Sequence, residues 1–279
     1  MRPSHCPNPA QRAAEELARW AGHARAWLDQ RWPSQCVLCR AWPTPPVCEP
    51  CMALLAAPVP RCPGCALALP PGQACRYCQR HPSGLHQCLA TLDYVWPWTE
   101  LVARWKFRQQ PMWGRWFGQL MRADDALAEA LDEADWVLPM PSPWQRLGER
   151  GYAPAWQLVQ ALCPGALARK RVRQGLLHLG AGAPHHQLSR SERLLNLQHR
   201  LLPDPLWAAQ LRERQVLLID DVMTTGASLE AAAAPLLAAG ARSVSAAVLA
   251  RTPDPRAHPW PDRSLPALRQ SADAAHRPG

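Results

Sequence analysis

The stretch VLLIDDVMTTGAS, Val216 to Ser228, passes through a strand, an acidic pair, a turn and the start of a helix. Val216 to Ile219 is a short apolar run with two β-branched residues, which suits a strand buried on both faces of a parallel sheet. Asp220 and Asp221 fall at its C-terminal end, and Thr224, Thr225, Gly226, Ala227 and Ser228 follow as a turn. Leu229 to Ala239 then reads as a helix, either kinked by Pro235 or beginning near it. In an open α/β sheet, ligands bind outside the carboxyl ends of the strands. A turn that leads into a helix presents backbone N–H groups and a positive dipole end to an anion. Three hydroxyls, with a glycine that lets the backbone approach closely, suit a phosphate monoester. The adjacent carboxylates suit vicinal ribose hydroxyls and positive charge developing at a sugar ring carbon.

Four apolar residues, two acids and T-T-G-x-[ST] make a pattern that resembles the phosphoribosyl pyrophosphate (PRPP) motif of type I phosphoribosyltransferases at every position. A Walker B strand is the competing reading, but it needs a Walker A partner with G-K-[ST]. The only lysines are Lys106, after Trp105, and Lys170, after Arg169. An ordinary buried strand followed by a capped helix remains as the alternative.

The 279 residues give room for one domain of roughly 150 to 200 residues with smaller appendages. The net charge of +9 is carried almost wholly by arginine, which points toward polyanionic ligands or nucleic acid. No apolar segment follows the first arginine, and no run of about 18 apolar residues occurs. Export and membrane insertion are therefore not expected. A cytoplasmic location follows, where the 11 cysteines would be reduced thiols.

Eight of those cysteines form four C-x2-C knuckles: Cys36 with Cys39, Cys48 with Cys51, Cys62 with Cys65, and Cys75 with Cys78. Two knuckles supply the four thiolates of a closed, structural zinc site, so about two zinc ions per chain are expected. Sequential pairing is preferred because each half repeats one plan; cross-braced pairing and an iron–sulfur cluster are the alternatives. Zinc ribbons often bind nucleic acid. Here the thiolates offset Arg40, Arg61, Arg76 and Arg80, so a filled module is near neutral and any grip on nucleic acid must come from local arginines. Cys6, Cys88 and Cys163 fall outside the pattern as free or buried thiols.

Helical spacing of Leu17, Trp20, Ala24, Trp27 and Leu28 predicts an amphipathic helix within 13–30. Leu89 to Trp98 reads as a strand or hairpin arm, Thr99 to Phe107 as a helix, and Trp113 to Leu131 as a second, continuous helix. Asp135 to Leu138 is a short strand whose end carries the stiff loop Pro139-Met140-Pro141-Ser142-Pro143, a place for unusual peptide geometry facing a ligand. Ala155 to Leu162 and Ser189 to Arg200 read as helices, and Ala241 to Ala250 as the next parallel strand. Arg146, Arg150, Arg169, Lys170, Arg171 and Arg173 form a basic set that a polyphosphate cleft could use. The proline-rich segment after Thr252 reads as a flexible tail.

The order of these pieces resembles the ComF family of competence-associated proteins. The resemblance runs from about Cys36 to Arg251. It rests on the double C-x2-C ribbon, W-K-F-R at Trp105 to Arg108, the P-x-P loop with R-L-x-E-R-G-Y at Arg146 to Tyr152, Q-L-S-R-x-E-R-x-x-N from Gln187 to Asn196, and the Asp220 to Ser228 loop. It implies an α/β fold of the type I phosphoribosyltransferase kind, a mainly parallel sheet flanked by helices, behind a small zinc-ribbon module. The expected divisions are a helical extension (1–32), a double zinc ribbon (33–88), a phosphoribosyltransferase-like domain (89–253) and a tail (254–279).

Carried over by position, Asp220 and Asp221 would be the catalytic pair at the ribose hydroxyls. Thr224, Thr225, Gly226, Ala227 and Ser228 would hold the 5′-phosphate, and Pro141, Ser142 and Arg146 would lie near pyrophosphate. Lys106, Arg150, Gln187, Arg193 and Asn196 would form the rim. The implied ligands are PRPP with Mg²⁺, and the implied partners are single-stranded DNA and DNA-uptake or helicase proteins. The implied role is phosphoribosyl transfer with release of pyrophosphate; a catalytically silent nucleic-acid-binding or bridging scaffold is the alternative. One departure stands out: the family usually continues R-G-[FY] with N-Q, where this chain has Ala153-Pro154. That change leaves the acceptor open.

Overall fold

Residues 34–42, 44–70, 72–179 and 201–254 are described by a computed structural model. The chain divides into two compact units, Met1–Leu55 with Trp260–Gly279, and Ala56–Pro259. The division therefore falls inside the 33–88 module expected from sequence. The helix expected within 13–30, the one expected at Ser189 to Arg200, and the tail beyond 254 lie outside the described residues.

In the first unit, Ser34 bridges Thr44 and the Cys36 N–H donates to the Ala41 carbonyl at 2.9 Å, closing a knuckle turn. The short helix α1 (Glu49–Leu55) begins between Cys48 and Cys51.

The second unit contains, in order, α2 (Arg76–Arg80), β1 (Cys88–Asp93), α3 (Trp98–Phe107), α4 (Met112–Arg122), α5 (Asp125–Glu133), β2 (Trp136–Pro139), α6 (Trp144–Arg150) and α7 (Pro154–Leu162). After a 3₁₀ turn at Gly165–Lys170 come β3 (Leu176–His178), β4 (Leu201–Pro203), α8 (Pro205–Ala208), β5 (Gln215–Met223), α9 (Ala227–Ala238) and β6 (Ser243–Arg251). β1, β6, β5 and β2 form a four-stranded sheet in that order, parallel throughout; β3 and β4 pair separately and antiparallel. Helices must connect parallel neighbours, and both faces of such a sheet are covered. Val216, Leu217, Leu218 and Ile219 are accordingly all buried.

Three expectations are corrected. β5 does not stop at Ile219: it pairs with β6 as far as Met223 with Arg251, so the two aspartates lie within the strand's second half. The strand expected over Leu89 to Trp98 ends at Asp93, where a turn leads to the cis Trp96–Pro97 bond. The expected helix from Trp113 to Leu131 is two helices, because the Asp124 carboxylate accepts from the Ala126 and Leu127 N–H groups and starts α5 as an N-cap. Pro235 does sit inside α9, near its C-terminal end, and Gly240 with φ +100° closes the turn beyond it.

α4 and α7 approach closely. A Cβ on Gly114 would overlap the Gln157 side chain, and one on Gly118 would overlap the Ala161 Cβ. Gln157 Oε1 in turn accepts from the buried Trp105 indole N–H at 2.7 Å. Trp105 packs against Phe117, which also meets Trp113 and Trp116. This aromatic core fixes the C-terminal end of α3, where Lys106 follows Trp105.

Candidate functional site

Gly226 has φ +81°, so the turn after β5 favours glycine for its backbone, and a Cβ there, 2.6 Å from the Met223 Cε, would also displace the end of that side chain. α9 begins at the next residue. Its first amides face a turn in which Thr224 and Ser228 are exposed and Thr225 is half-buried. The Thr225 hydroxyl accepts from the Ala227 N–H at 3.4 Å. The expected cradle residues are thus brought together at one helix start, on the side of the sheet where β5 ends.

The Asp221 N–H donates to the Asp220 Oδ1 at 2.8 Å. Asp221 is buried, and its Oδ1 accepts from Lys106 Nζ at 2.6 Å. Burial, reinforced by the neighbouring Asp221 charge, pushes the Asp220 carboxyl up to about 7. Of the expected rim, Lys106 therefore lies directly on the acidic pair. Arg150 stacks over the Phe107 ring at 4.9 Å; burial lowers its basicity while the Asp221 charge opposes that change. The Tyr152 hydroxyl donates to the Trp105 carbonyl and tethers the chain after α6 to the end of α3.

Pro141 and Ser142 begin the loop after β2, whose Pro139 pairs with Ile219; the Met140 N–H donates to the Ile219 carbonyl at 2.8 Å. The loop consequently leaves the sheet beside Asp220. Arg146 is exposed on α6, one turn before Arg150. Gln187, Arg193 and Asn196 lie outside the described residues.

Of the expected basic set, Lys170, Arg171 and Arg173 are not aimed at the acidic pair. Lys170 Nζ donates to the Leu131 and Asp132 carbonyls at 2.8 and 2.7 Å, covering the end of α5. Arg171 donates to the Cys163 carbonyl, and Arg173 lies over the Trp156 ring.

The eight cysteines fall into two groups, Cys36, Cys39, Cys48, Cys51 and Cys62, Cys65, Cys75, Cys78, with each group's thiols within 4.8 Å of one another. Sulfur separations are 3.9 Å for Cys36 to Cys51, 3.5 Å for Cys39 to Cys48 and for Cys62 to Cys78, and 3.6 Å for Cys65 to Cys75. Tetrahedral zinc at about 2.3 Å from each sulfur needs separations of about 3.8 Å, so both groups fit a structural ion. Cys88 and Cys163 are buried outside these groups, and burial pushes their thiols up to about 12 and about 11, which leaves them unreactive.

The structure also brings two residues to the turn that the sequence did not single out. Tyr77, between Cys75 and Cys78, donates its hydroxyl to the Thr225 carbonyl at 2.5 Å. Arg251, at the end of β6, donates to the carbonyls of Cys65, Met223, Thr224 and Thr252.

A profile of the phosphoribosyl transferase domain matches residues 187–267, which include the β5 turn and α9. Ahead of that match stand the two four-cysteine groups. Over the matched stretch the chain is similar to phosphoribosyl transferase domains, in keeping with the resemblance to the ComF family read from its motifs. The DNA utilization protein YhgH of Salmonella typhimurium is 27% identical over 230 residues, covering 79% of this chain and 98% of the relative. Its namesake in Salmonella typhi matches to the same extent. A solved hypoxanthine phosphoribosyl transferase of Trypanosoma cruzi overlaps 55% of this chain and 70% of its own, at 16% identity and a TM-score of 0.32. Among the described residues no helix is long and apolar enough to cross a membrane.

Proposed function

We propose that the turn from Thr224 to Ser228 binds the 5′-phosphate of PRPP, that Asp220 and Asp221 hold its ribose hydroxyls, and that the chain serves DNA uptake or utilisation. The observation that carries this reading is the left-handed Gly226 at the start of α9, in the turn that follows a strand carrying two carboxylates near its C-terminal end. Backbone amides at a helix start favour a dianionic phosphate, and Thr224 and Ser228 add exposed hydroxyls. Asp221 pairs with Lys106, while Asp220, whose carboxyl is pushed up to about 7, accepts more strongly from a ribose hydroxyl once it has lost its proton.

The donors here are carboxylates and hydroxyls, hard oxygen ligands that suit Mg²⁺. When bound, Mg²⁺ would neutralise the leaving pyrophosphate. The chain's own contribution to transfer is to orient the ribose and to place negative charge where the ring carbon becomes positive as pyrophosphate departs. Pro141 and Ser142, beside Asp220, and Arg146 and Arg150, on α6, are the groups offered to that pyrophosphate. The YhgH name supplies the link to DNA.

Calorimetric titration with PRPP in the presence of Mg²⁺ tests the binding site. Binding that is lost on replacing both aspartates by asparagine supports it, and unchanged affinity in that variant counts against it. Ala153-Pro154 favours a second reading, in which PRPP binds but no acceptor receives the ribose. Pyrophosphate release measured across candidate acceptors separates the two.

A further inference from the structure

The second four-cysteine group belongs to the same compact unit as the phosphate-binding turn and touches that turn from behind. The Cys88 N–H donates to the Pro63 carbonyl at 2.7 Å, inside the Cys62–Cys65 knuckle, and the Cys88 thiol meets the Met223 sulfur at 3.4 Å. Arg61, just before Cys62, forms an ion pair with buried Asp93 at 2.9 Å and also donates to the Ala66 carbonyl at 3.2 Å. Two further side chains cross from the knuckles to the turn itself. Tyr77 reaches the Thr225 carbonyl, and Arg251 spans Cys65 on one side and Met223, Thr224 and Thr252 on the other. Arg251 also lies over the Tyr77 ring at 5.9 Å.

Arg251 is 2% exposed, yet among the described residues every hydrogen bond it makes ends on a neutral carbonyl. A buried cation needs a countercharge. Four thiolates around one divalent ion carry a net charge of about −2, and Arg251 is hydrogen-bonded to the backbone of one of those four cysteines. A filled second site would supply that countercharge to Arg251, which holds the Met223 and Thr224 carbonyls.

Resting on the PRPP reading above, we infer that Tyr77 and Arg251 are positioning residues that couple the second four-cysteine site to the phosphate-binding turn, so that metal at that site sets the turn's affinity for PRPP. Neither side chain touches the ligand. Both fix carbonyls in the turn's outer leg, leaving its amides directed at the phosphate. Coupling of this kind is reciprocal: PRPP should raise the equilibrium affinity of the second site for metal by the same factor by which the metal tightens PRPP.

The test uses the full zinc-loaded chain. Tyr77→Phe keeps the ring and removes one hydroxyl. It should retain its zinc and its melting temperature, while amide exchange at 223–228 and the dissociation constant for PRPP each rise roughly three- to tenfold, the loss expected for one hydrogen bond. Arg251→Lys keeps the charge without the fork that spans both sides, and should accelerate the same amides. Stripping zinc from the wild-type chain should do likewise, and in Tyr77→Phe the stripped and loaded forms should differ less than in wild type. Unchanged exchange at 223–228 in Tyr77→Phe, or after zinc removal, overturns the coupling. If the wild-type chain binds no PRPP but these amides respond as described, the coupling stands and the PRPP reading fails.

Discussion

The two four-cysteine groups repeat one spacing plan but are embedded differently. Around the first, the bonds among the described residues are local: the Cys48 N–H donates to the Cys36 sulfur at 3.4 Å, and the Val37 N–H donates to the Pro46 carbonyl at 2.9 Å. Around the second, partners come from far along the chain: Asp93, Thr225 and Arg251 all bond to residues between Arg61 and Tyr77. A closed metal site stabilises whatever its ligands are attached to. In one case that is a short loop, in the other the end of a parallel sheet. Identical ligand chemistry thus predicts unequal consequences when the metal is lost.

The largest effect should come from Cys75→Ser with Cys78→Ser. Structural zinc in small ribbons contributes on the order of 10 kcal/mol, so the phosphoribosyl transferase domain should lose its cooperative melting transition or melt far earlier; a transition like wild type would break the contrast. Next, Asp93→Asn leaves Arg61 without its partner and should destabilise the domain by about 3 kcal/mol, read by urea denaturation. Gly226→Ala must adopt φ +81° and displace Met223. It should cost about 1–2 kcal/mol and weaken PRPP binding, measured by calorimetry.

Smaller still is the pH effect at Asp220. Its folded carboxyl holds its proton up to about 7, well above the unfolded value, so the ligand-free domain should lose stability as pH rises through that window. If PRPP binds the deprotonated form, affinity should rise by up to about tenfold between pH 6 and pH 8; a flat profile would remove Asp220 from ligand contact. The smallest change is expected from Cys36→Ser with Cys39→Ser. Zinc should fall from about two ions to about one per chain while PRPP affinity stays within about twofold. A larger loss would show that the first group matters to the site as much as the second.

How much of this was legible in the sequence depended on range. The Val216 to Ser228 order could be read because a strand buried on both faces, a turn glycine and a helix each leave a local mark. The knuckles could be read for the same reason. The end of β5 could not, since two aspartates look like a terminus until β6 pairs with them. The α4–α5 break was hidden because Asp124 scores as helix interior and as cap alike. Basic residues at Lys170, Arg171 and Arg173 resembled an anion cluster, but their targets are carbonyls and an indole that only the fold brings near. Tyr77 and Arg251 left no mark at all: a tyrosine in a knuckle and an arginine at a strand end become partners of one turn only after 148 and 27 intervening steps of chain are folded.

The tight contact between α4 and α7 has a consequence for how freely this chain can be varied. Gly114 faces Gln157, Gln157 holds the Trp105 indole, and Lys106, the next residue, reaches Asp221. A mutational scan should therefore find Gly114 and Gly118 as unforgiving as the acidic pair, although both lie on a helix with no ligand role. Where a single methyl group prises two helices apart, the lysine at the end of a third loses its aim.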